Sequence, residues 1–135
     1  TSDYGPEMLH AAARGESYAC FVRPDARIPF MTMPEAVAAI RGLMEAPRSG
    51  LSRVVYNVQS FAPSAEEFLL EVRRHFPTAE TGFEPDLARQ SIIDSWPASC
   101  DDAAARADWG WSPTYDLASA FDDYLVPRIR ARYEA

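Results

Sequence analysis

The sequence predicts a small mixed α/β domain, α+β-like in its arrangement. Three observations carry that prediction. The chain is 135 residues long, the size of one domain. Its 47% hydrophobic content is enough for a core, and 24% charged residues is ordinary for a globular protein. Apolar residues recur at helical spacing in some stretches and as short β-rich runs in others, with proline and glycine between them.

The elements follow in order. Pro6 opens a first helix and Gly15 closes it, with Met8, Leu9 and Ala12 on one face. Ser17 to Val22 reads as a short strand, and Arg23-Pro24-Asp25 as a turn. Ile28 to Met31 is a second extended piece. Thr32-Met33-Pro34-Glu35 has the form of a capping box, leading into a helix with Val37, Ile40, Leu43 and Met44 as its apolar stripe. Pro47 to Gly50 breaks it. Val54-Val55-Tyr56-Asn57-Val58 is the strongest strand signal in the chain. Ser64-Ala65-Glu66-Glu67 starts another helix, with Phe68, Leu69, Val72 and Phe76 inward and Pro77 at its close.

From Thr78 to Ser99 the pattern is mostly irregular, with extended pieces near 81–84 and 91–93. Asp101 or Asp102 caps a short helix running to Asp108 and ended by Gly110. Asp116 caps the last helix, which Pro127 kinks or interrupts. The order is helix, strand, strand, helix, strand, helix, irregular, helix, helix. A single domain over residues 1–135 is expected.

Composition excludes several functions. The net charge of −7 argues against nucleic acid as a partner, and there is no apolar run of membrane-spanning length. Two distant cysteines, Cys20 and Cys100, form neither a disulfide framework nor a zinc site and fit a reducing, cytoplasmic setting. His10 and His75 lack metal-ligand spacing. No three of the six glycines form a Gly-x-Gly-x-x-Gly loop, so the sequence has no pyrophosphate cradle. All thirteen basic residues are arginine, so a tyrosine–lysine pair for hydride transfer is impossible.

All three tryptophans fall within sixteen residues, in Asp94-Ser95-Trp96-Pro97 and Asp108-Trp109-Gly110-Trp111. Trp96 is read either as core or as an aromatic wall over a small polar ligand. Trp109 and Trp111 read as packing anchors. Asp94 is a candidate acid–base or substrate-side group.

These runs resemble a known family. Asp-Ser-Trp-Pro-Ala-Ser, the following Asp101-Asp102, Ala105-Arg106-Ala107-Asp108-Trp109-Gly110-Trp111 and Asp116-Leu117 are similar to the C-terminal part of the short-chain L-threonine 3-dehydrogenases. These are extended short-chain dehydrogenases, beside the nucleotide-sugar epimerases and dehydratases. Thr1-Ser2-Asp3-Tyr4 resembles the family's Thr-Thr-Asp-Tyr, and Pro29 to Ala36 its Pro-Met-Met-Tyr-Met-Pro-Asp-Ala. Tyr56-Asn57-Val58 resembles its Tyr-Asn-Leu.

The resemblance implies the C-terminal, substrate-binding portion of such an enzyme, without the Rossmann half that holds NAD and the catalytic groups. No catalytic residue and no metal site are then expected in this chain. Thr1, Ser2 and Trp96 are implied to enclose the substrate, L-threonine, with Asp94 and Arg89 as further substrate-side residues. The implied partner is the Rossmann half, and a bared interface is expected to promote self-association. The alternatives are the same domain of a nucleotide-sugar epimerase or dehydratase, with Arg89 and Arg106 on a diphosphate, or a non-enzymatic interaction domain.

Overall fold

The computed structural model describes residues 3–133. Thr1 and Ser2, both named above, lie outside the described residues. The first helix, α1 (Tyr4–Arg14), begins two residues before Pro6. It ends at Gly15, whose φ of 68° is left-handed backbone and lets its N–H reach back to the last turn. An added Cβ at Gly15 meets open space, so only backbone strain opposes it. Gly15→Ala is therefore expected to cost about 1 kcal/mol, read as a lowered chemical-denaturation midpoint at unchanged slope.

Strand β1 (Tyr18–Cys20) pairs in parallel with β2 (Thr81–Phe83), Tyr18 opposite Thr81 and Cys20 opposite Phe83. Between them run α2 (Met33–Glu45), a 3₁₀ turn (Arg48–Gly50) and α3 (Ala65–His75). Both expected capping boxes are formed. Thr32 Oγ1 accepts from the Glu35 N–H, Ser64 Oγ from that of Glu67, and each glutamate reaches back to its cap's own N–H.

The expected extended piece at 28–31 is reduced to antiparallel bridges, Arg27 with Ser64 and Phe30 with Phe61. The Val54–Val58 strand does not form. A strand needs a neighbour for its N–H and C=O groups, and 54–58 has no pairing partner among the described residues. Tyr56 and Val58 turn inward onto the Trp109–Trp111 cluster, while Val54 and Val55 stay exposed.

After β2 the chain forms α4 (Leu87–Asp94), where the sequence suggested an extended piece at 91–93. Asp86 supplies the missed start signal. Its carboxylate accepts the N–H groups of Ala88 and Arg89, at 2.8 and 3.0 Å. Next comes α5 (Ala103–Trp109), closed by Gly110. Its start differs in detail from the expectation: Asp101 takes the Ala103 N–H, and Asp102 instead grips Arg106 at 2.7 and 2.9 Å.

The last helical run comprises α6 (Leu117–Ala120), a π-helical turn (Phe121–Leu125) and α7 (Val126–Tyr133). Asp116 caps it as expected. The interruption falls just before Pro127, which has no N–H to donate to the preceding turn.

The main core is made by α1, α3, β1 and the last helical run. Tyr4, Met8, Cys20, Val22, Val72 and Phe121 are fully buried there. A smaller cluster joins Ala39 of α2 to Ala105 and Trp111, with Trp109 and Tyr56 beside it. Gly42 lets Trp109 approach α2, because an added Cβ would stand 3.1 Å from the indole. Of the α2 stripe Val37, Ile40, Leu43 and Met44, only Leu43 is half-buried. Val37, Ile40 and Met44 are exposed, Met44 by 80%, as is Met33, and the helix buries Glu35 and Ala39 instead.

Candidate functional site

Of the residues implied to face the substrate, Arg89 and Asp94 lie on α4 and Trp96 just after it, while Thr1 and Ser2 lie outside the described residues. Its inner face carries Gln90, an almost fully buried polar side chain. Gln90 Oε1 accepts the Arg23 N–H at 2.6 Å, and Nε2 donates to Asp94 Oδ1 at 2.7 Å. The Arg23 guanidinium donates to both Asp94 oxygens at 3.1 Å. Asp94 is held well below the usual carboxylate range, first by Arg23 and then by Gln90. A carboxylate so committed stays ionised and is a poor general base. Its role here is to fix Arg23 and the end of α4.

Arg89 leans over the Phe21 ring, with Cζ 3.2 Å from the centroid, and lies 3.6 Å from Glu7 Oε1. Phe21 in turn meets Tyr4 edge to face, centroids 6.3 Å apart. The start of α1 and the middle of α4 thus share one aromatic contact. Trp96 follows the end of α4, its N–H donating to the Ile93 carbonyl. It is 43% exposed and belongs to neither core cluster. It is therefore not a core residue of the described chain. Trp111 is buried and Trp109 packs edge to face on Tyr56 at 4.6 Å, so both are packing anchors.

Arg23, Gln90 and Phe21 were not legible as site residues. Arg23 reads as part of a turn, and Gln90 becomes visible only once 87–94 is recognised as a helix with an inward face at 90 and 93. The Asp86 cap was the available signal.

The structure also bears on the groups excluded above. Among the described residues no three His, Cys, Asp or Glu side chains are placed to hold a metal. His10 accepts or shares a hydrogen bond with the Tyr133 hydroxyl, and His75 stacks on Phe121 near Asp122. Cys20 is buried, and burial pushes its thiol above the ordinary range. A dinucleotide cradle needs a glycine-rich turn from a strand into a free helix N-terminus. Here β2 enters α4 through Glu84-Pro85-Asp86, and the Asp86 carboxylate already takes the first amides. That turn does not fit NAD.

No protein-family model matches the chain. Known proteins do. It is 38% identical to the mitochondrial L-threonine 3-dehydrogenase of Bos taurus over 87% of its own length and 31% of the relative's. It is 35% identical to an uncharacterised epimerase/dehydratase of Staphylococcus saprophyticus over its whole length and 42% of that protein. The GalE-like L-threonine dehydrogenase of Cupriavidus necator superposes on 96% of the chain with a TM-score of 0.85 at 39% identity, using 45% of its own length. The chain belongs to this threonine dehydrogenase and epimerase/dehydratase family. It spans less than half the length of these relatives, in keeping with a C-terminal portion. The mixed α/β layout described above is shared with these structures, and Asp94-Ser95-Trp96-Pro97 begins at the last residue of α4.

Proposed function

We propose that this chain is the substrate-binding part of an NAD-dependent L-threonine 3-dehydrogenase, a single domain over residues 1–135. The whole protein would oxidise the β-hydroxyl of L-threonine to 2-amino-3-ketobutyrate. A Rossmann half would bring NAD and the catalytic groups, and no step of the transfer is assigned to residues of this chain. Trp96, with Thr1 and Ser2, would enclose the amino acid and exclude water. Arg89 and Asp94 would be further substrate-side residues.

The carrying observation is the bare apolar face of α2, formed by Met33, Val37, Ile40 and Met44, beside exposed Val54 and Val55. A patch of this kind marks an interaction surface. It supports a partner half covering it, and self-association where that half is absent. The epimerase reading is less favoured. A sugar diphosphate would need arginines, but Arg106 is bound twice by Asp102 and Arg89 is laid over Phe21 near Glu7. A cytoplasmic location is part of the proposal, supported by the unpaired Cys20 and Cys100, although the bovine relative is named as mitochondrial. No described helix is long and apolar enough to cross a membrane.

The test is threonine-dependent reduction of NAD. The protein joined to a Rossmann half should turn over, and the 135-residue chain alone should not. Turnover by the chain alone would overturn the reading. Val37→Asp with Ile40→Asp, both at exposed positions, should leave the isolated chain folded. In the joined protein they should bury unpaired charge at the docking face, at a cost of about 3 kcal/mol or more. Normal activity and stability of that double variant would remove α2 from the interface.

A further inference from the structure

One concavity shares no lining residue with α4. It lies between α1, the 30–33 segment and the last helical run, and holds about 470 Å³. That is the size of a small-molecule site. Its floor is apolar. Leu9, Phe68 and Ile129 are buried beneath it, and Phe30 stacks against Phe61 at 6.2 Å. The π-helical turn contributes Tyr124 and Leu125, and such turns recur at functional sites.

The wall opposite is cationic. Arg128 and Arg132, one turn apart on α7, both line the concavity and both are exposed. Neither has a carboxylate within ion-pair distance among the described residues. Arg14, Arg23, Arg27, Arg74 and Arg106 each have one. Among the described residues Arg48, Arg53, Arg73 and Arg130 likewise lack such a partner, and what sets Arg128 and Arg132 apart is that both line one apolar-floored concavity. Arg132 stands in the last turn of α7, where the helix dipole ordinarily explains an arginine, and Arg128 in the first. The dipole accounts for Arg132 on α7, and not for Arg128 or for the two sharing an aromatic-floored concavity. His10, on the same rim, is held below its usual range by burial and then by Arg132 and Arg14.

We propose that this concavity binds a small amphipathic monocarboxylate, its apolar tail on the Leu9–Phe30–Phe68 floor and its carboxylate on Arg128 and Arg132. The guanidinium fork matches a carboxylate's two oxygens. L-threonine would leave the floor unfilled, so this ligand class differs from the proposed substrate. The inference does not depend on the dehydrogenase reading.

Octanoate and 1-octanol are the probes, titrated into the chain by calorimetry and by amide chemical shifts. Octanoate should bind saturably and shift residues of α7 and 30–33, with octanol about tenfold weaker for want of the charged contact. R128Q/R132Q should weaken octanoate by about tenfold and leave octanol unchanged; R132Q alone is the milder variant should the double one fold poorly. Equal binding of acid and alcohol would overturn the proposal. So would octanoate affinity indifferent to both variants, or acetate shifting the same amides at the same concentration.

Discussion

Glu35→Ala should destabilise the chain by about 3 kcal/mol or more, seen as a large fall in the thermal or chemical unfolding midpoint. The sequence offers Glu35 only as the acid of a capping box. In the fold it is buried and holds three segments together. Oε1 accepts the N–H groups of Thr114 and Tyr115, at 2.8 and 3.0 Å. Oε2 accepts from Thr32 N–H, Thr32 Oγ1 and Ser60 Oγ, at 3.2, 2.9 and 2.7 Å. Alanine would leave several donors without an acceptor, each at about 1–3 kcal/mol if it stays dry. Glutamine should cost less than alanine, because one oxygen remains to take the Thr114 and Tyr115 amides.

The same carboxylate sets a pH dependence. Burial alone would raise its pKa, but the donors, Ser60 foremost, outweigh burial and hold it below the ordinary value. Its folded pKa is thus lower than its unfolded one. Its contribution is complete above the unfolded carboxylate range and is lost as pH falls through the depressed folded value. Acid denaturation followed for the native chain and Glu35→Gln should show a shallower acid limb in the variant. Parallel limbs would show that Glu35 does not carry this linkage.

The second large effect separates two tryptophans. In the protein joined to its Rossmann half, Trp96→Ala should lower kcat/KM for threonine by about 100-fold while leaving unfolding nearly unchanged. The wall is open to solvent in the chain, so its loss removes little packing, yet a loosened substrate loses near-attack geometry. Trp109→Ala should do the reverse. It empties the space between Tyr56 and Gly42, at a cost of about 3 kcal/mol, with kinetics near normal at permissive temperature. If Trp96→Ala unfolds the protein while its folded fraction keeps normal kinetics, Trp96 is not a substrate wall.

Local chemistry was legible where it is settled within a few residues. Thr32, Ser64 and Asp116 cap the helices their spacing announces, and Gly15 and Gly110 end theirs. Val54–Val58 was not legible, because β-propensity describes the residue and a strand is a property of a pair. The α2 stripe was read correctly as apolar, but periodicity cannot say whether its cover lies in the same chain. Of the site, Trp96 and the Asp94 neighbourhood were visible through the motif, whereas Arg23 and Gln90 reach it only through tertiary contact. The comparisons support the family expectation and leave the roles of Thr1, Ser2, Trp96, Asp94 and Arg89 to experiment.

The ladder between β1 and β2 has a kinetic consequence. Tyr18 pairs with Thr81, 63 positions further on, and the ladder covers only three residues of each strand. Closing a loop of that length costs on the order of 4 kcal/mol in chain entropy, by the logarithmic scaling for a flexible loop. Three residue pairs cannot nucleate such a contact. The ladder therefore zips late, after α1 has docked on α3 and brought the two strands within reach. Contacts this remote along the chain place the domain among slower folders for its size. Mutations within the ladder should then act mainly on the unfolding rate, and mutations between α1 and α3 on the folding rate.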